Sequence, residues 1–385
     1  MKKLFTFRNL CFTAVIASAL TSCDREELPT LGVVEGEKPL VDFTIDTTGR
    51  DPNNPFLVKF VNNSKRFKEL EWVFGDDSVN FLSAPNIAHQ YTRNGAFKVI
   101  VTAIGEDGTK AVMARDIRID PAISIKVEPE GDAIKFTNTS GLQGKSVEWD
   151  FNDGSGVTKP TESSVIYKYK NPNALNSVKL SIKLENGSVG SYTYLIRNAV
   201  AYKDVTEQYL KNFIRPFKST VRNRTSGEIG RWGLLDNWTA NGAVRNHEDG
   251  VGGFDRDWEG GNNLSFEAWG GQPKIINGKL YQSPVLPAAK YIYACLQPNQ
   301  EMRGRQNEDY ALLVAAQGDG LPDRDKKETA LAFTKLLHPN DVPGKWIVLA
   351  FENPQAGQVS MGIVATLNVN EQFIRAQEFK LYKSE

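Results

Sequence analysis

Glu71-Trp72-Val73-Phe74-Gly75-Asp76-Asp77 is answered further along the chain by Glu148-Trp149-Asp150-Phe151-Asn152-Asp153-Gly154, an offset of 77 residues. Trp and Phe two positions apart lie on one face of a strand, and the Gly, Asn and Asp after them supply a turn. Two more landmarks keep the same order. Lys59-Phe60-Val61-Asn62-Asn63-Ser64 returns as Lys135-Phe136-Thr137-Asn138-Thr139-Ser140, and His89-Gln90-Tyr91 returns as Tyr167-Lys168-Tyr169, at offsets of 76 and 78. Three matched landmarks define tandem units of about 80 residues. Within each unit an alternating run, Ala96 to Ala103 or Ser177 to Leu184, precedes a turn at Asp107-Gly108 or Asn186-Gly187, so both units read as β throughout.

These residues resemble the polycystic-kidney-disease-type (PKD) domain, an Ig-like sandwich marked by Trp-x-Phe-Gly-Asp-Gly and a later His-x-Tyr strand. The first copy departs at Asp77, where Gly is usual; the second has Asn152 for the first Gly and Tyr167 for His. The resemblance covers about residues 40–203 and implies two sandwiches, 41–121 and 122–203. Trp72, Trp149, His89 and the aspartates then serve the core and the turns. Such modules usually act as spacers or as surfaces for protein contact, and two of them would lift the C-terminal region by roughly 50–60 Å.

Upstream, residues 1–23 have a basic start (Lys2, Lys3, Arg8), an apolar stretch from Leu10 to Leu20, and small residues before Cys23. That stretch falls short of the roughly 20 residues a membrane-spanning helix needs, so it reads as a cleaved signal. Leu20-Thr21-Ser22-Cys23 resembles the lipobox of bacterial lipoproteins, which implies lipidation at Cys23 and a multi-chain anchor that holds where one chain would not. Asp24-Arg25-Glu26-Glu27 resembles the acidic export tag of Bacteroidota surface lipoproteins, implying an outer-membrane protein facing the exterior. Residues 24–40 are charged and carry Gly and Pro, a flexible tether reaching roughly 20–25 Å.

Downstream, residues 204–385 open on a short helical segment, Val205 to Phe213, and continue as strands and loops. Strands are expected at Asn263 to Trp269, Lys279 to Val285, Ala289 to Leu296, Tyr310 to Ala316, Lys345 to Ala350, Ser360 to Leu367 and Glu378 to Tyr382, with one helix near Lys326 to Leu337. Seven or more short strands with Gly, Pro and Asn turns argue for a jelly-roll β-sandwich, making the chain all-β. Ile276-Asn277-Gly278-Lys279-Leu280-Tyr281-Gln282 followed by Leu286-Pro287-Ala288-Ala289-Lys290-Tyr291 resembles the galactose-binding-like jelly rolls that end Bacteroidota surface lipoproteins. Ala289 stands where Gly is usual there.

Residues 231–296 hold four of the seven tryptophans, set among Gly, Asn and Asp. A Trp in such a loop sits near the surface, and an exposed indole is a flat apolar plate with one donor, suited to the C–H face of a sugar ring. Trp258 is the first candidate, because Gly252 to Asn263 surrounds it with Gly and with Arg256, Asp257 and Asn262, which can bond hydroxyls. An indole folded back over the sandwich is the competing reading. Trp232 stands similarly; Trp269 and Tyr281 suit packing as well as binding. Trp238 and Trp346 lie in strand-like runs and are assigned to the core. Asp319, Asp323 and Asp325, three carboxylates within seven residues, suit Ca²⁺, although the loop lacks a full twelve-residue frame with its distal Glu and also reads as a solvated turn.

Composition narrows the function class. Forty-six basic residues balance forty-six acidic ones, and the charge removed with the leader leaves the remainder weakly acidic. No strong positive field favours nucleic acid. The three histidines (His89, His247, His338) make no metal-spaced pair, and neither a nucleophile elbow nor a phosphate-cradling loop is present, so no enzyme is expected. Asp257 and Glu259 are two apart in one loop, and nothing singles them out as a glycosidase pair. Cys295 reads as a small buried hydrophobe. The chain resembles the glycan-binding accessory lipoproteins of starch-utilisation-type importers. That resemblance implies an oligo- or polysaccharide ligand, a porin–lipoprotein import complex as partner, and contact with the membrane only through the lipid. A structural or adhesive protein that binds other proteins is the reading from another class.

Overall fold

The computed structural model describes residues 38–46, 48, 51–81, 86–142, 144–158, 163–225, 228–241, 244, 252–256, 261–268, 274–297, 310–336, 346–367 and 372–385. The leader, nearly all of the tether and Cys23 lie outside them. The fold is all-β: two Ig-like sandwiches in tandem, then a jelly-roll sandwich. Among the described residues no helix is long and apolar enough to cross a membrane.

In the first sandwich one sheet holds Phe43–Asp46, Leu57–Asn62 and Asn86–Gln90, and the other holds Val79–Phe81, Glu69–Val73, Gly95–Ile104 and Lys110–Ile119. Period-two alternation sends Leu70 and Trp72 inward, opposite Ala103 and Val101 of the neighbouring strand. The second sandwich repeats the register with Trp149 opposite Leu180. Trp72 and Trp149 are both 0% exposed, as the core assignment requires.

The departures from the repeat motif have a shared explanation. Each turn after Trp-x-Phe needs two left-handed residues: Gly75 (φ +82°) and Asp77 (φ +68°) in the first copy, Asn152 (φ +52°) and Gly154 (φ +86°) in the second. Asp and Asn tolerate that region better than other side chains, so the copies exchange which position takes Gly. The His-to-Tyr change is equally conservative. His89 stacks on Phe74 at 4.0 Å and its Nε2 lies 2.7 Å from Asp76 Oδ2. Tyr167 stacks on Phe151 at 3.7 Å and its hydroxyl donates to Asp153.

The two copies share more than a linker. The main-chain N–H of Val189 donates to Thr92 O at 2.9 Å, Ser188 Oγ donates to Tyr91 O at 2.8 Å, and the Asn94 side chain bonds both the N–H and the C=O of Ser191. Apolar residues from Phe43 to Ala201 form one continuous buried cluster across both.

The second copy runs into the third sandwich through a sheet. Val200–Asp204 pairs with Val189–Arg197 on one side and with the C-terminal strand Glu378–Ser384 on the other. Ala289–Leu296 and Trp346–Asn353 complete this eight-stranded sheet. A five-stranded sheet (Arg222–Thr225, Glu228–Leu234, Gly253–Asp255, Asn263–Ala268, Gln372–Ala376) and a second sheet built on Ile275–Gln282, Gly357–Leu367, Ala311–Gln317 and Ala332–Lys335 enclose the main core with it. Cys295 lies in that core at 1% exposure, and burial pushes its thiol pKa up.

Two helical expectations are corrected. Val205 to Phe213 forms only one turn, Thr206–Tyr209. Lys326 to Leu337 divides into a 3-10 segment, Arg324–Thr329, and a strand, Ala332–Lys335, paired with Leu312 to Ala315. Phe333 packs there on an outer apolar cluster that also holds Leu312 and Val314, which keeps this stretch in the sheet.

Candidate functional site

The five-stranded sheet of the third sandwich has two unlike faces. Phe254, Leu264, Phe266 and Ile374 point into the core. Register places the opposite side chains in rows: Trp232 beside Asp255 beside Asn263, then Ser265 beside Arg375, then Glu267 beside Phe373. The signal was present in sequence, because Asn263-Leu264-Ser265-Phe266-Glu267-Ala268 alternates polar and apolar.

That polar face is buried. Asp255 and Arg375 side chains are 0% exposed, and Glu267 and Arg231 are 9% and 24% exposed. Arg231 grips Asp255 bidentately, Nε to Oδ1 at 2.7 Å and Nη2 to Oδ2 at 2.8 Å. Arg375 Nη2 reaches the same Oδ2 at 2.9 Å and stands 3.8 Å from Glu267 Oε2. Among the described residues two guanidinium groups meet two carboxylates, so their formal charges cancel, as burial favours. Desolvation raises the pKa of Glu267 against the pull of Arg375, and it lowers that of Arg375 against the pull of Asp255. Ser265 Oγ is buried and makes no hydrogen bond among the described residues.

The cluster fixes an indole at its margin. Trp232 is half-buried; its Nε1 donates to Glu267 Oε2 at 3.3 Å, and the Arg231 guanidinium lies 4.7 Å from the ring centroid. Arg256 and Asn262 stand together just beyond the strand that carries Asp255. Arg256 is exposed and its N–H bonds Arg231 O at 3.0 Å, while the Asn262 N–H bonds Arg256 O at 2.9 Å. Three predicted residues, Trp232, Arg256 and Asn262, are therefore brought together. Asp257, Trp258 and Trp269 lie outside the described residues. Arg231, Asp255, Glu267 and Arg375 were not singled out from the sequence.

Other candidates separate from this group. Tyr281 sits on the outer face of the opposite sheet, packed against the small cluster of Leu312, Val314 and Leu321. Its pKa is raised by desolvation and by Asp319. The three candidate calcium carboxylates do not converge. Asp319 accepts from Ser283 Oγ at 3.0 Å, Asp323 pairs with Lys279 Nζ at 2.7 Å, and Asp325 lies in the 3-10 segment beyond. Among the described residues no group of three acidic, His or Cys side chains is placed to hold a metal ion. Trp238 packs on the core, 4.9 Å from Phe379, with its N–H on Asn212 O. Trp346 does not: it is 38% exposed, because Ile347, Leu349 and Phe351 take the inward phase of its strand.

No curated protein matches the chain. Solved structures that resemble it include the PKD1 domain of Vibrio anguillarum Epp, at 21% identity over 22% of this chain and 96% of that one, with a TM-score of 0.19. A carbohydrate-binding module of the β-sandwich superfamily shares 12% identity over 90% of this chain and 99% of that one, with a TM-score of 0.24. A SusE-like protein shares 12% over 68% of this chain and 96% of that one, with a TM-score of 0.23. Residues 47–115 match the family model of the PKD domain, and residues 211–362 match that of a domain of unknown function, DUF5013.

Proposed function

We propose that this chain is a cell-surface glycan-binding lipoprotein, lipidated at Cys23, whose third sandwich captures an oligo- or polysaccharide for an outer-membrane porin–lipoprotein import system. The observation that carries this reading is the half-buried Trp232, locked by Glu267 and Arg231 at the edge of a charge-rich sheet face. A ring held in place before the ligand arrives loses little freedom on binding. A sugar's C–H face packs on the indole while Arg256 and Asn262, with Asp257 and Trp258 between them in sequence, meet its hydroxyls. Open sites of this kind bind in roughly the micromolar to millimolar range and gain from repeated ligands. The proposal includes no catalytic step and requires no calcium.

Affinity electrophoresis of the leaderless chain against a panel of soluble polysaccharides tests it, with Trp232→Ala and Trp258→Ala run alongside. Retardation by at least one polymer, weakened in either variant, is the expected outcome. Absence of retardation throughout, or retardation that neither variant changes, contradicts it.

The adhesive reading has one observation in its favour. Val112 of the first sandwich and Val157 and Ile166 of the second are 62%, 50% and 58% exposed, and exposed apolar residues can serve protein contact. Replacing Ile166 with Ser leaves polysaccharide retardation unchanged under the glycan reading.

A further inference from the structure

A cleft of about 780 Å³ opens where all three sandwiches meet. Its walls include Arg118 from the first, Lys203 from the second, and Glu207, Ile214, Glu378 and Lys380 from the third. This size is ordinary for a ligand site, and domain junctions are common places for one.

The cleft continues onto a sheet face. Trp346 stands opposite Leu296, Leu296 stands opposite Glu378, and Glu378 is bridged to Ile214. Directly paired residues in antiparallel strands project to the same side. These four side chains therefore form one strip, roughly 15 Å across three strand spacings, running from the sheet edge into the cleft. Its two ends are apolar and open, Trp346 at 38% and Ile214 at 47% exposure. Polar groups flank it throughout. Lys380 Nζ lies 5.4 Å from the Trp346 ring centroid and 3.5 Å from Glu378 Oε1, and Arg118 crosses from the first sandwich to pair with Glu207 at 2.8 Å.

Cations and carboxylates alternate here in near balance, so the field selects neither a polyanion nor a polycation. What fits is a ligand with apolar ring faces and with groups that donate and accept hydrogen bonds along its length. We infer that the junction is a second carbohydrate subsite, which takes a neutral oligosaccharide chain across Trp346 and into the cleft. This rests on the glycan-binding reading and adds a place and a charge class to it. Because the strip lies on a sheet shared by the second and third sandwiches, the subsite exists only in the joined protein.

The test uses the same electrophoresis with neutral and uronic-acid-containing polysaccharides, adding Trp346→Ala and Glu378→Gln to Trp232→Ala. Thermal melts of each variant confirm folding. A neutral polymer is expected to retard the chain, with affinity about tenfold weaker in Trp346→Ala, a smaller loss in Glu378→Gln, and no change in melting for either. Retardation lost in Trp232→Ala but unchanged in Trp346→Ala overturns the junction subsite and leaves the glycan reading standing. Retardation by acidic polymers alone overturns the neutral assignment. A chain that no polymer retards overturns both.

Discussion

The paired Ig-like sandwiches and the jelly roll differ in where some of their tryptophans and their most buried charges lie. In the pair, Trp72 and Trp149 are wholly enclosed, and ion pairs such as Lys98–Asp116 stand in water with side chains 58% and 78% exposed. In the jelly roll, Asp255 and Arg375 are enclosed while Trp232 and Trp346 reach the surface. Exposed ion pairs contribute little to stability, whereas a buried one carries a desolvation cost that excellent geometry must offset. The first two sandwiches thus follow the ordinary rules of a stable scaffold. The third keeps a buried charge cluster beside an indole that reaches the surface, and it is there that we propose the binding role.

Removing a core indole and removing a buried carboxylate should hurt the two regions about equally, for different reasons. Trp72→Ala or Trp149→Ala leaves a large cavity and is expected to cost about 3–5 kcal/mol in denaturant unfolding. Asp255→Ala removes the carboxylate that Arg231 and Arg375 share and is also expected to cost about 3–5 kcal/mol. A loss under about 1 kcal/mol for Asp255→Ala would show that water or another group already solvates Arg375, and the contrast would collapse.

Within the tandem pair, His89→Ala removes a stacked ring and a hydrogen bond to Asp76, at about 1.5–3 kcal/mol. His89→Tyr imports the second copy's solution and should recover most of that loss in the same unfolding experiment. If it recovers nothing, the two turns are not equivalent.

Acid separates the regions by sign. Burial raises the pKa of Asp76, but hydrogen bonds from Ser78 and His89 outweigh it, so the value falls below 3.8. The stability Asp76 contributes is therefore complete above pH 3.8 and is lost as pH falls through its folded value. Asp153 behaves alike, held down to about 2 by Tyr167 and Ser155. Glu267 is shifted upward from 4.5, chiefly by desolvation, so its contribution diminishes as pH rises from 4.5 through its folded value. Stability of wild type relative to Glu267→Gln should decline over that window, and wild type relative to Asp76→Asn should decline on acidification instead. Slopes of the same sign would contradict the assignment. The smallest effect is expected of Trp346→Ala, within about 0.5 kcal/mol, since the ring lies at the surface.

Much of the scaffold was legible because its signals are local. Trp-x-Phe, the Gly/Asn/Asp turn and the His-x-Tyr strand each lie within a few residues, and their recurrence exposed the repeat. Val200–Asp204 escaped notice because its role comes from pairing with Glu378–Ser384, far along the chain. Long-range pairing also hid the charged face: Arg375 meets Asp255 across 120 residues, and neither is unusual in its local stretch. Trp346 shows a different limit. Its strand was recognised, but alternation leaves two phases, and only the packing of Ile347, Leu349 and Phe351 decided which faces inward. Trp232, Arg256 and Asn262 could be put forward from sequence because they share one stretch rich in Gly, Asn and Asp.

Whether the jelly roll holds the ligand is decided by calorimetric titration of the leaderless chain with the polysaccharide that retards it most, comparing wild type, Trp232→Ala and Ile166→Ser. Saturable heat that is preserved in Ile166→Ser and reduced about tenfold or more in affinity by Trp232→Ala is the predicted result. Equal binding by wild type and Trp232→Ala, or binding lost only in Ile166→Ser, would move the ligand off the jelly roll and contradict the assignment of the binding role to it.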